Sequence, residues 1–115
     1  HNINGYDELT TTSKNKVLEI NNNNISRLKI IEPKDLGFKR TKEIDLKGGT
    51  AKENAFLMEN AFKGETGPIR DNIVLNSAAG LIISKKAKSM KEAINMVNYN
   101  IDNGIVMKKL KSLIG

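Results

Sequence analysis

The sequence contains no cysteine. That excludes disulfides, thiolate metal sites and a cysteine nucleophile, and fits the cytoplasm, where we expect the protein to work. There is no tryptophan, and aromatic residues make up only 4% of the 115 residues. A core must therefore come from Ile, Leu, Val, Ala and Met. No apolar run approaches the ~20 residues of a membrane span, and no basic-then-apolar leader opens the chain. The expectation is no membrane and no secretion.

What is present is ordinary for a soluble domain: 38% hydrophobic and 28% charged residues, with a net charge of +6. A chain of this length buries roughly two-thirds of the surface its unfolded form exposes, enough for one real core. A positive balance raises two readings, nucleic-acid binding and a solvated lysine-rich surface. The lysines are scattered from Lys14 to Lys111, with doublets only at Lys85-Lys86 and Lys108-Lys109. Without aromatic residues interleaved for base stacking, the solvated surface is the better reading, and no nucleic-acid partner is expected.

The chain organises itself into a hairpin followed by helices. "KVLEI" (16–20) and "ISRLKII" (25–31) are short and rich in β-branched residues, and "NNNN" (21–24) connects them; asparagine tolerates left-handed backbone, so the three stretches read as a hairpin. "PKDLG" (33–37) reads as one helical turn, with Pro33 at its first position and Gly37 as its cap. Residues 38–49 read as loop, ending in Gly48-Gly49. Thr50 and Glu53 then form a capping box ahead of Phe56, Leu57, Ala61 and Phe62. Pro68 starts a second helix, broadly apolar through Ile69, Ile73, Leu75, Leu81 and Ile82, with the small run "SAAG" (77–80). Ser89 and Glu92 form another capping box before the stripe of Met90, Ile94, Val97 and Ile101. "DNG" (102–104) ends that stripe, and a last helical stretch carries Val106, Leu110 and Leu113. A lone hairpin is marginal by itself and belongs at the edge of a larger sheet.

Few residues offer chemistry. Asp7 and Glu8 are adjacent acids just after the turn-forming Asn4-Gly5. On a loop both carboxylates can approach one cation, and magnesium takes one or two carboxylates, keeps waters and shares substrate phosphates. Taken alone, the pair reads more simply as solvated. His1 is the single histidine and no base partner is implied for it. "KGGT" (47–50) runs into a helix N-terminus, where phosphate contact and a flexible hinge plus cap stay equally open; the spacing of a P-loop is absent. Arg70 reads as a buried structural ion-pair partner ahead of a phosphate binder, and Asn76 as a hydrogen-bonded, buried amide on an apolar helix.

Taken in order, "H…GYDELT", the hairpin, "EPKDLGF", "LKGGTAKENA", "FKGETGPIRDNIVLNSAAGLII" and "SMKEAINMVNYNIDNGIVMKKLKSLI" resemble the C-terminal part of the anthranilate phosphoribosyltransferases. The resemblance covers essentially the whole chain. It implies an α/β fold: residues 1–115 as a C-terminal fragment of the nucleoside phosphorylase/phosphoribosyltransferase catalytic domain, with a β-hairpin from a larger mixed sheet followed by three to four helices. It implies transfer of a phosphoribosyl group from phosphoribosyl pyrophosphate to anthranilate, releasing pyrophosphate, in tryptophan biosynthesis. It also implies magnesium on the pyrophosphate, held in part by Asp7 and Glu8, which match the end of the family's His-Gly-x-Asp-Gly-x-Asp-Glu pattern. Gly5 would serve the turn that aims them. The chain departs from that pattern at Asn2, for Gly, and at Asn4, for Asp; Thr50 stands where Asp is frequent.

The family's Gly-Thr-Gly-Gly-Asp donor loop, its Lys-His-Gly-Asn stretch and its N-terminal helical region are not in this sequence. The expectation is therefore a cut within a longer chain, inactive alone, whose parent dimerises through the absent helical region. No residue here is implied as nucleophile or general base. The alternatives are another phosphoribosyltransferase or a nucleoside phosphorylase of the same fold, or a basic non-enzymatic nucleic-acid-binding module.

Overall fold

The hairpin exists, but its ladder is broken in the middle. The computed structural model describes residues His1–Gly115. Strands β1 (Asn15–Val17) and β4 (Lys29–Ile31) pair antiparallel with Lys16 opposite Ile30. Nearer the tip, β2 (Ile20–Asn21) pairs with β3 (Asn24–Ile25), Ile20 opposite Ile25. Two residues, 18 and 19, face three, 26 to 28, so one strand carries an extra residue, the mark of a β-bulge. Within it the Ser26 N–H donates to the Glu19 carbonyl at 2.7 Å, and the Glu19 N–H donates to Ser26 Oγ at 3.0 Å. The turn at the tip places Asn22 and Asn23 at φ 47° and 64°, both left-handed, as a two-residue primed turn requires. The apolar residues of the hairpin stay in solvent: Leu18, Ile20, Ile25, Leu28 and Ile30 are all more than half exposed.

After the hairpin, Pro33–Leu36 form a 3₁₀ turn closed by Gly37 at φ 91°, as the proline and glycine positions predict. The stretch read as loop contains one turn of helix, α1 (Glu43–Leu46), capped where Asp45 Oδ2 accepts from the Lys42 N–H at 2.9 Å. That cap is a local carboxylate–backbone bond with no apolar periodicity to announce it. Helices α2 (Ala51–Phe62), α3 (Pro68–Ile83), α4 (Met90–Asp102) and α5 (Ile105–Ile114) follow. None is long and apolar enough to cross a membrane.

The expected caps set the helix boundaries. Thr50 Oγ1 accepts from the Glu53 N–H, and Glu53 Oε2 accepts from the Thr50 N–H at 2.7 Å, a complete reciprocal box. At α4 only half of the box forms. Ser89 Oγ accepts from the Glu92 N–H, but Glu92 Oε2 accepts from the Lys88 N–H instead of Ser89's. Gly104, at φ 70°, separates α4 from α5.

The core is the contact between α3 and α4, joined by two residues from the N-terminal half. Val74, Leu75 and Ala78 of α3 meet Ala93, Ile94, Val97 and Ile101 of α4, with Leu9, Phe38 and Ala87 closing the cluster. The stripe on α4 is buried as its period predicts, and each fully buried Leu or Val contributes ~1.5–3 kcal/mol. The breadth expected for α3 is only partly realised: Ile69, Ile73, Leu81 and Ile82 are half-buried and Ile83 is exposed. Phe56 of α2 is exposed as well.

A second buried region is polar. Asn2, Thr10, Thr11, Ser13 and Asn15 are all buried at the root of the hairpin. The first residues of the chain run antiparallel to β1, bridging Asn2 to Asn15, with the Lys16 N–H donating to the His1 carbonyl at 2.7 Å and the Ile3 N–H to the Lys14 carbonyl at 3.1 Å.

Candidate functional site

Asp7 and Glu8 sit in an exposed bend between two anchored ends. On the N-terminal side the Gly5 N–H donates to the Asn2 carbonyl at 3.1 Å, and the Asn2 N–H donates to the Tyr6 carbonyl at 3.0 Å, so residues 2–6 fold back on themselves. Gly5 adopts φ 100°, a conformation open to glycine and strained for other residues. The Asn2 side chain is buried and fully engaged. Its Nδ2 donates to the Ser13 and Lys14 carbonyls and to Asn15 Oδ1, while its Oδ1 accepts from the Asn4 N–H and from Ser13 Oγ. A fully buried amide with every group paired rigidifies what it touches.

On the C-terminal side the two residues after the acids are held by two asparagine side chains. The Leu9 N–H donates to Asn76 Oδ1 at 3.0 Å, and Asn76 Nδ2 donates back to the Leu9 carbonyl at 2.7 Å and to the Asn72 carbonyl at 2.9 Å. The Thr10 N–H donates to Asn15 Oδ1 at 2.9 Å, and Asn15 Nδ2 donates to the Thr10 carbonyl at 3.0 Å. Each side-chain amide pairs with one backbone residue as a neighbouring strand would. Asn76 is thus the hydrogen-bonded amide its sequence context predicts, but it is half-buried rather than buried, because it sits at the rim of α3 beside the acidic bend. Its partner, 67 residues away, could not be read from the sequence.

The carboxylates themselves form no hydrogen bond or ion pair within the protein. Asn4, beside them, donates from Nδ2 to Glu43 Oε1 at 3.4 Å, which ties the loop to α1. Glu8 borders a recess of about 380 Å³ that Tyr6, Met58, Asn72 and Asn76 also line. Two uncommitted acids on a turn suit a hard cation that keeps waters and shares phosphate oxygens. No group of three or more His, Asp or Glu side chains is assembled to hold a metal without such a partner.

The other residues singled out from the sequence are structural. His1 Nδ1 lies 2.9 Å from the Asn2 carbonyl and has no carboxylate partner. At "KGGT" two of the amides that could cradle phosphate are already committed: the Gly49 N–H donates to Asn54 Oδ1 at 2.9 Å, and the Thr50 N–H to Glu53. A Cβ on Gly48 would meet Asn54 Oδ1 at 2.7 Å, and one on Gly49 would strike the Glu53 carboxylate. The stretch caps its own helix, and larger residues at its glycines would displace the Asn54 and Glu53 side chains that do so. Arg70 is buried and stitches helices together, donating to the Gly64 carbonyl and Asn98 Oδ1 at 2.9 Å each and pairing with Asp102 Oδ1 at 2.7 Å. Burial pushes the Asp71 carboxyl above its ordinary value, against the pull of the Arg70 and Lys39 charges.

A family model described as the glycosyl transferase family, a/b domain, matches residues 1–107. The chain belongs to that family. Among curated relatives, the anthranilate phosphoribosyltransferase of Petrotoga mobilis is 42% identical over 114 residues, 99% of this chain and 33% of its own length. That of a Thermoanaerobacter species is 43% identical over the same shares. The crystal structure of anthranilate phosphoribosyltransferase from Thermus thermophilus superposes with a TM-score of 0.77 at 33% identity, covering 87% of this chain and 29% of that one. The chain spans about a third of the length of the curated relatives it matches. The α/β fold expected from the sequence is the fold of this family.

Proposed function

We propose that this chain is the C-terminal third of an anthranilate phosphoribosyltransferase, and that Asp7 and Glu8 hold Mg²⁺ on the pyrophosphate of phosphoribosyl pyrophosphate. The observation that supports this most is similarity to enzymes of that name over 99% of the chain, in a fold that leaves the adjacent acids exposed and uncommitted. In the reaction the bond from ribose C1 to a pyrophosphate oxygen breaks and a bond from C1 to the anthranilate nitrogen forms. The amine gives up a proton. When bound, magnesium neutralises the charge that develops on the departing pyrophosphate.

The part of this chain is to hold and aim. The Gly5 turn and the buried Asn2 amide fix the start of the acidic bend, so its carboxylates meet the cation with little ordering left to do. No nucleophile or proton-accepting pair is assembled beside Asp7 and Glu8. Donor and acceptor are held by segments outside this chain, and the parent works in the cytoplasm as a dimer formed through its N-terminal helical region.

The test uses the Petrotoga mobilis relative with this chain exchanged for its matching third. We expect that hybrid to form phosphoribosyl anthranilate and this chain alone to form none. Asp7→Asn with Glu8→Gln should leave the fold intact by circular dichroism, weaken donor binding and lower turnover, with partial recovery at raised Mg²⁺. Identical rates and identical magnesium dependence in the double variant would remove the metal role.

A further inference from the structure

Two asparagine amides grip consecutive backbone residues directly after the acid pair, from different parts of the fold. Asn15 belongs to β1 and holds Thr10; Asn76 belongs to α3 and holds Leu9. Side-chain amides that satisfy a backbone N–H and C=O together act as a two-point clamp and fix both position and orientation. The Asn76 clamp is the nearer one, a single residue from Glu8. It is itself braced, since the same Nδ2 also donates to the Asn72 carbonyl one helical turn earlier, which locks the amide rotamer. The helix that carries it is among the most firmly seated parts of the molecule: Val74, Leu75 and Ala78 of α3 are buried. Glu8 has no such restraint on its own side chain, so the direction in which the bend presents its carboxylates is set by the backbone on either side.

We propose that Asn76 is a positioning residue for the acid pair: its amide clamp on Leu9 references the Asp7–Glu8 bend to the α3–α4 core, and cation affinity depends on it. This rests on the reading that Asp7 and Glu8 bind the metal. Both polar atoms of Asn76 are committed to Leu9 and Asn72, so its effect on the cation runs through the backbone. It acts on the ligands as hydrogen-bonded outer partners act in metal sites, where their loss weakens metal binding by about 10–100-fold.

The experiment measures Mn²⁺ binding in the presence of pyrophosphate, by the loss of the free-ion electron paramagnetic resonance signal, in the hybrid enzyme described above. Asn76→Leu keeps the volume and removes the clamp. Should it not fold, Asn76→Ser, which is too short to reach Leu9, replaces it. Val97→Ala, in α4 and remote from the bend, controls for lost stability alone. We expect at least a tenfold rise in the Mn²⁺ concentration for half-occupancy in the Asn76 variant and none in Val97→Ala. The Leu9 amide should exchange faster in the Asn76 variant, and the magnesium needed for half-maximal rate should rise while the rate at saturating magnesium is largely kept. Unchanged Mn²⁺ binding alongside a lowered melting temperature would make Asn76 merely structural and overturn the proposal. The Asp7→Asn, Glu8→Gln double variant separates the two claims. If it too leaves Mn²⁺ binding unchanged, the metal assignment fails and the positioning role with it. If it abolishes binding while Asn76→Leu does not alter it, only the positioning role fails.

Discussion

Replacing Arg70 should be the most damaging single change among the polar residues that join α3 to α4. Its side chain is 9% exposed, and its guanidinium reaches the loop after α2 through the Gly64 carbonyl and two positions one turn apart on α4, Asn98 and Asp102. Arg70→Met retains most of the length but leaves the Gly64 carbonyl and the Asn98 amide without a donor. Hydrogen bonds to charged groups are each worth ~1.5–3 kcal/mol and do not add fully. Asp102 is 55% exposed, so its freed carboxylate regains water and its share is small, below about 1 kcal/mol. The expected loss is about 2–4 kcal/mol. At roughly 2.1 cal/mol/K of unfolding entropy per residue, a chain of this length loses about 4 °C per kcal/mol, so the midpoint should fall by about 8–16 °C. Arg70→Lys should lie in between, because a single ammonium cannot span a forked set of acceptors. Asp102→Asn should cost less than about 4 °C. Thermal denaturation followed at 222 nm ranks the three. If Asp102→Asn destabilises as much as Arg70→Met, or Arg70→Met melts within about 2 °C of the parent, the guanidinium fork is not what joins these helices.

Two further outcomes follow from exposed and strained chemistry. The folded-state pKa of Asp71 lies above its unfolded value, so the folded protein holds a proton that the unfolded chain has already lost, and stability falls as pH rises from the ordinary carboxylate range through the raised value. Asp71→Asn should therefore be more stable than the parent at pH 7 and equal to it in strong acid; a pH series of urea unfolding curves in which the two stay parallel would contradict this. The hairpin presents Leu18, Ile20, Ile25, Leu28 and Ile30 to solvent, an apolar face on short unpaired edges. The chain alone should self-associate in sedimentation runs, and Ile20→Thr with Ile25→Thr should reduce it; a monodisperse parent would show that this face needs no cover.

What could be read from the sequence is what is local. Thr50 with Glu53 and Pro33 with Gly37 mark helix ends through bonds that span a few residues, Pro68 through its fixed φ, and all stand where expected. The α4 stripe was equally legible, because burial on one face needs only a period. Helix α1 was missed, since its cap is one carboxylate and its four residues show no period. The scaffold of the acidic bend was missed for a different reason. Asn2 and Asn76 act through backbone partners 11 and 67 residues off in the chain, and Asn15 through Thr10, five residues back across a loop; nothing in an asparagine's neighbours states which backbone group it will meet. The acid pair could be found, and named a metal site only through resemblance; the amides that hold it could not.

The bulge in the hairpin also divides that element in time. Cooperative opening spreads along a ladder only while successive rungs are in register, and here the register changes after Val17 opposite Lys29. Fraying that begins at the Asn22-Asn23 tip therefore has a natural stopping point at Ser26. The rungs beyond it belong to β1, which is secured on its other edge by the bridge from Asn2 to Asn15. Tip and root are thus expected to open as separate units, so that amides at the tip exchange faster than those beside the bend that carries the two acids.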